Sequence, residues 1–259
     1  MKLLVIKKLI QTIKEQHPND KVLFSLLMSA LSYFSDEFAH DILSKEFGIK
    51  ESKIIEIDDF KFLQTTYDNQ SYVAFRGTLF NRWKNVKKVF NFIPKKNSKG
   101  ISQHRGFLMA YNKLRNGLSL VNSNESVIFT GHSLGGALAL IAAKDYNAHA
   151  VTFASPNVFF GKDQLINHVG YKAKNDIVTF IPPKTIFFNW SRAKVEMKIF
   201  HKKSWNPFTN HHLASYITTL LDMYNAAHQI KEKETFSNIS IKQRTTIRTY
   251  REHYTEVIR

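Results

Sequence analysis

A chain of 259 residues with 43% apolar and 13% aromatic residues can bury a substantial core, which excludes a wholly disordered protein. There is no cysteine, so disulfides, thiolate metal sites and a cysteine nucleophile are excluded. The net charge of +16 favours polyanions such as anionic membrane or nucleic acid, yet a lysine-rich surface explains it equally well, and charge alone assigns no function.

The start, Met1 to Lys8, is basic, but its apolar run from Leu3 to Ile6 is shorter than the roughly 7–15 residues of a signal-peptide core. No stretch reaches the roughly 18–20 apolar residues of a membrane-spanning helix. The expected location is therefore cytoplasmic, or exported without a cleaved signal, with peripheral membrane contact and no transmembrane helix. Residues 3–47 carry apolar side chains at three- and four-residue spacing and read as helical, with Val22 to Phe34 as a buried helix.

From Lys53 the pattern shortens. Ile54 to Ile57, Phe62 to Thr66 and Ser71 to Phe75 read as strands, the last two joined around Asp68-Asn69-Gln70. Arg82 to Phe92 can form a basic amphipathic helix, and Ser102 to Leu114 another helix. Ser126 to Thr130 is an apolar strand that leads through Gly131-His132-Ser133-Leu134-Gly135-Gly136 into a helix from Ala137 to Asp145. Ala148 to Phe153 and Gly170 to Lys174 read as strands, and Thr185 to Trp190 with Lys194 to Phe200 as a hairpin. His212 to Ile230 is again helical. Strands alternating with helices predict a single α/β domain over residues 1–259, with a mostly parallel sheet flanked by helices and a peripheral tail from about residue 231.

Gly131-x-Ser133-x-Gly135 has the form of a nucleophile elbow. The serine there sits on a sharp strand-to-helix turn, and side chains two residues before and after it would collide, hence glycine at both. By composition alone the pattern arises in about one chain in ten of this length. Its specificity comes from the strand before it and the Ala/Leu-rich helix after it. A phosphate-binding turn would occupy the same place, but the P-loop lysine and the full G-x-G-x-x-G spacing are missing.

A serine nucleophile needs a base, and the base an orienting carboxylate, in the order Ser, acid, His. Asp145 lies on the elbow helix, roughly 18 Å along it, and cannot reach back. Asp163 lies in a polar loop, and Glu196 alternates with apolar neighbours as a solvated face would. Asp176 follows a strand and precedes an apolar run, the better position for the acid. Of His201, His211, His212, His228 and His253, the pair His211-His212 stands just before a helix, where a general base fits; the residues alone leave the choice open.

On these motifs the sequence resembles the class 3, fungal-type lipases of the α/β-hydrolase superfamily. Thr130 to Ala139 resembles the family's elbow, and Val73-Ala74-Phe75-Arg76-Gly77-Thr78 its oxyanion strand. His104-Arg105-Gly106-Phe107 is similar to its H-x-G-F helix start, and Thr152 to Pro156 to its T-F-G-x-P strand end, with Ala154 in place of the usual glycine. The resemblance implies an α/β-hydrolase fold with catalytic Ser133, Asp176 and His211 and with Thr78 and the N–H of Leu134 as oxyanion donors. His212 remains an alternative base. It also implies a lid-like helix near residues 80–93, whose Phe80, Trp83, Val86, Val89 and Phe90 between cations suit an anionic lipid interface. The cluster from Phe187 to Trp190, with Arg192 and Lys194, is expected on the same face.

The implied activity is hydrolysis of lipid esters, by a triacylglycerol lipase or a phospholipase A-type acyl hydrolase, through an acyl-enzyme and with no metal or organic cofactor. The expected partners are a lipid ester and an anionic membrane surface, not nucleic acid; oligomeric state is not legible. An esterase for small soluble esters and a catalytically inactive membrane-binding relative are the alternatives.

Overall fold

The helical spacing of the N-terminal region resolves into three helices: α1 (Leu3–Gln16), α2 (Lys21–Leu31) and α3 (Asp36–Phe47). A computed structural model describes residues 3–78, 93–120, 126–161, 165–183, 190–191, 194–200 and 210–234. Each helix starts or stops where its chemistry dictates. Asp20 accepts the N–H groups of Val22 and Leu23 at 2.9 and 2.8 Å, satisfying donors left over at the start of α2. Ser35 caps α3, and Gly48 ends it in the left-handed region at φ 67°. Every residue of α2 from Val22 to Leu31 is buried, so this helix belongs to the core.

Strands β1 (Ser52–Ile57), β2 (Phe60–Tyr67) and β3 (Gln70–Phe75) follow as an antiparallel meander. Asp68 and Asn69 both take positive φ, which closes the β2–β3 turn with residues that tolerate it. Next come β4 (Pro94–Lys96), β5 (Ser102–His104), α4 (Arg105–Leu114), β6 (Val127–His132), α5 (Leu134–Tyr146), β7 (His149–Phe153), β8 (Phe159–Phe160) and β9 (Leu165–Ala173). Then β10 (Trp190–Ser191), β11 (Lys194–Phe200) and a last helix, α6 (Leu213–Glu234), complete the described elements.

Among the described residues the strands form a seven-stranded sheet in the order β1-β2-β3-β6-β7-β9-β11 and a small sheet in the order β10-β8-β5-β4. Every pairing from β3 to β11 in the large sheet is parallel. Side-chain alternation feeds two cores. Tyr72, Ala74, Ile128, Val151 and Phe153 face α1, α2, α3 and α6. Val73, Phe75, Val127, Phe129 and Ala150 face α4 and α5. Covering both faces is what a parallel sheet requires, and it accounts for the nearly unbroken apolar character of β3 and β6.

Three sequence expectations change. The hairpin expected of Thr185–Trp190 with Lys194–Phe200 is absent among the described residues, which exclude Thr185–Asn189: Trp190–Ser191 pairs with Phe159–Phe160 in the small sheet, while β11 runs parallel to β9 at the edge of the large one. Ser102 to His104 is strand, and the helix starts at Arg105. Helix α6 continues to Glu234, past the expected start of the tail, whose remaining residues lie outside those described.

His104 closes β5 and opens α4, where its Nδ1 accepts the N–H of Phe107 and its ring stacks on the Phe107 ring at 3.9 Å. The side chain is buried, and burial lowers its pKa from 6.5 to about 4. Between those two values the unfolded chain binds the extra proton, so stability falls as pH drops from 6.5 to 4. His104→Asn keeps a cap acceptor and removes this titration. Its stability should therefore decline less steeply with acid, by up to about 1.4 kcal/mol per pH unit. Urea midpoints at pH 7, 5.5 and 4.5 measure this, and parallel losses in both proteins would refute it.

Candidate active site

The site is built where β6 turns into α5, at the carboxyl ends of the parallel strands, the usual crevice of an open α/β sheet. Ser133 occupies the turn with φ 58° and ψ −127°, a conformation that side chains rarely adopt. Its N–H donates to the Phe153 carbonyl at 2.9 Å and its carbonyl accepts from the Ala137 N–H at 3.2 Å, so sheet and helix both hold the strained residue. The flanking glycines are required by close approach. A Cβ on Gly131 would run into the Gly135 carbonyl, and one on Gly135 into the carbonyl of Phe75 on the next strand.

His211 and His212 stand just before α6. The Nε2 of His211 lies 2.7 Å from the Ser133 hydroxyl, and its Nδ1 lies 3.0 and 2.9 Å from the two carboxylate oxygens of Asp176. A carboxylate only accepts, so Nδ1 carries the proton and Nε2 is left to accept from the serine hydroxyl. His212 is exposed, whereas His211 is buried between its two partners.

Asp176 follows β9 and caps the short turn Ile177–Phe180. It is fully buried. Besides His211 it accepts the Val178 N–H at 3.1 Å and the Tyr216 hydroxyl at 2.7 Å. Tyr216 is fixed in turn by the Ala173 N–H, which donates to its oxygen at 2.9 Å. Its period on α6 put it on the buried face, but nothing in the sequence placed that face against Asp176.

Thr78 follows β3, next to β6 in the sheet, and is half-buried. Leu134 is the first residue of α5, so its N–H belongs to the turn of donors without an intrahelical partner. Asp145 lies at the far end of α5, where Tyr111, Lys99 and Arg115 engage it, away from Ser133. Glu196 lies on edge strand β11, and His228 on α6. Asp163, His201 and His253 lie outside the described residues, as does the expected lid helix apart from Ile93. Trp190 corrects an expectation: it is buried against His104 and Phe160 at 5.6 and 5.1 Å instead of lying on a lipid-facing surface.

Ala154 stands where the resembling pattern has glycine. It sits at φ 54°, in the left-handed region where glycine is favoured, with its N–H bonded to the Tyr171 carbonyl at 2.8 Å. No helix among the described residues is long and apolar enough to cross a membrane.

Residues 72–186 match the sequence model of the family described as lipase, class 3. Lipases of Rhizopus niveus and Rhizopus oryzae are each 33% identical over 140 residues, a match covering 45% of this chain and 36% of theirs. The chain thus spans little more than a third of the length of these relatives. Among solved structures, the triacylglyceride lipase of Rhizomucor miehei superposes with a TM-score of 0.54 at 22% identity, over 70% of this chain and 80% of that one. A triacylglycerol lipase described as having a serine protease triad superposes with a TM-score of 0.51 at 23% identity, over 67% and 77% of the two chains. At these identities the structures establish the fold, which is that of the α/β-hydrolases.

Proposed function

We propose, for a chain whose residues 72–186 match the class 3 lipase family, that it is a serine hydrolase of lipid carboxylic esters with Ser133 as nucleophile, His211 as general base and Asp176 as the orienting acid. The observation that carries this reading is the continuous hydrogen-bonded line from Ser133 through His211 to Asp176, built on a strained serine.

The chemistry follows from that line. His211 Nε2 takes the Ser133 proton as the serine oxygen attacks the ester carbonyl, and Asp176 stabilises the imidazolium that forms. Charge on the former carbonyl oxygen is met by the Leu134 N–H and Thr78. His211 then returns the proton to the leaving alcohol, which departs and leaves an acyl-enzyme. Water, deprotonated by His211, repeats the attack and releases the fatty acid with Ser133 restored.

The lipid nature of the ester is supported by what surrounds Asp176. Ile177 and Phe180, each 48% exposed, stand directly after it, and Lys172 lies over the Phe180 ring at 4.7 Å. Exposed apolar side chains beside cations suit an anionic lipid surface better than a site for small soluble esters. Triacylglycerol and phospholipid are the two substrate classes this chemistry serves. Hydrolysis of p-nitrophenyl butyrate and palmitate, with and without anionic phospholipid vesicles, tests the reading. Turnover that rises with palmitate or vesicles is expected; turnover of butyrate alone would leave a soluble-ester hydrolase, and none at all would leave a lipid-binding relative.

A further inference from the structure

We propose that Tyr33 and His132 are positioning residues that lock the base and the oxyanion strand into one register. The inference rests on the hydrolase reading above. His132, the residue before Ser133, is buried at the end of β6 and makes two bonds. Its Nε2 lies 2.7 Å from the backbone carbonyl of His211, and its Nδ1 lies 3.0 Å from the Tyr33 hydroxyl. Tyr33 comes from just beyond α2, outside the segment shared with the lipase family.

The direction of every bond in this relay is forced. A carbonyl oxygen cannot donate, so the Nε2 of His132 carries the proton and donates to His211. Burial and the neighbouring His211 keep the ring neutral. Its Nδ1 therefore has no proton and must accept from Tyr33. The Tyr33 hydroxyl, having given its proton to His132, accepts the backbone N–H of Gly77. Gly77 precedes Thr78, and a Cβ there would run into the Tyr33 hydroxyl, so the glycine admits the tyrosine.

The result is a one-way line from Gly77 through Tyr33 and His132 to the backbone of His211. It ties the strand carrying the oxyanion residue to the loop carrying the base. Lys61 holds the far side: its buried ammonium donates to the Phe34 carbonyl at 2.9 Å and to Asp36 at 2.6 Å, pinning the turn that carries Tyr33. A displacement of about 1 Å at such a site costs on the order of 100-fold in rate. Tyr33→Phe leaves packing intact while orphaning both His132 Nδ1 and the Gly77 N–H.

The test compares kcat and KM for p-nitrophenyl butyrate among the wild type, Tyr33→Phe, His132→Gln and His132→Leu. Tyr224→Phe serves as a control, because it removes a hydroxyl bonded to Asp20 at 2.9 Å in the helical layer. We expect Tyr33→Phe to lower kcat about 10-fold with KM within about twofold. His132→Leu should lower it about 100-fold, and His132→Gln, whose amide can still donate to the His211 carbonyl, should recover part of that loss. The rate at which a fluorophosphonate labels Ser133 should fall in parallel, and Tyr224→Phe should keep wild-type kcat. An active wild type whose Tyr33→Phe and His132→Leu variants keep kcat within twofold would overturn the inference alone. Equal kcat losses in Tyr33→Phe and Tyr224→Phe would also overturn it, as would no recovery by glutamine. A wild type without ester turnover would overturn the hydrolase reading and this inference together.

Discussion

Ser133→Ala is expected to lower kcat on p-nitrophenyl butyrate by about 10⁵-fold, with the fold retained. The magnitude follows from the covalent route: without the hydroxyl no acyl-enzyme can form, and only substrate binding and oxyanion contacts remain. Alanine keeps the Cβ of serine and adds nothing to it, so the substitution leaves the backbone strain of this turn unchanged. The bonds that hold residue 133 in place run through its backbone to Phe153 and Ala137 and survive the change. Thermal melting within a few degrees of the wild type is therefore expected alongside the activity loss. A variant that retains turnover within tenfold of the wild type would remove Ser133 from the chemistry.

Asp176→Asn is expected to lower kcat about 10⁴-fold and to cost about 1–3 kcal/mol of stability. The carboxylate accepts from His211, Tyr216 and the Val178 N–H at once, in a fully buried position. An amide has one accepting oxygen and one donating nitrogen. If the nitrogen faces His211, Nδ1 must give up its proton, the proton moves to Nε2, and the ring can no longer accept from Ser133. If the nitrogen instead takes the place of the oxygen that accepts from Val178, two N–H donors face each other there. Either orientation breaks the network, one at the base and one behind it. Activity assays with urea unfolding measure both effects, and a variant within tenfold of wild-type kcat would make Asp176 a structural cap alone.

Much of this was legible in local sequence. The short apolar runs at β3 and β6 read as strands buried on both faces, and the longer apolar run of α2 reads as a core helix, because run length separates the two. The elbow was legible for the same reason: a strand, a glycine pair at fixed spacing and a helix are all neighbours in the chain. The strand Lys194–Phe200 shows the boundary of this logic. Alternation in Lys194–Phe200 identifies a strand but not its partner, and parallel pairing with β9 is a crossover that no adjacent residue encodes.

The acid and base divide along the same line. Residue types and order favoured Asp176 as the acid but left the base open, and the resemblance brought it to the pair His211-His212, where one position before a helix rotates a side chain by about 100°. Only the packing of α6 against β9, with Tyr216 bonded to both Asp176 and Ala173, buries His211 and leaves His212 exposed. The line from Gly77 through Tyr33 to His132 lies further from sequence still, since Tyr33 and His132 stand 99 residues apart and carry no shared spacing. By itself, then, the sequence determined most of the longer elements and which residue types meet at the elbow, because those depend on apolar patterning and on neighbours. The tertiary structure decided strand partners, the histidine that reaches the serine and the hydroxyls behind it, because hydrogen bonds act over about 3 Å between residues that only folding brings together.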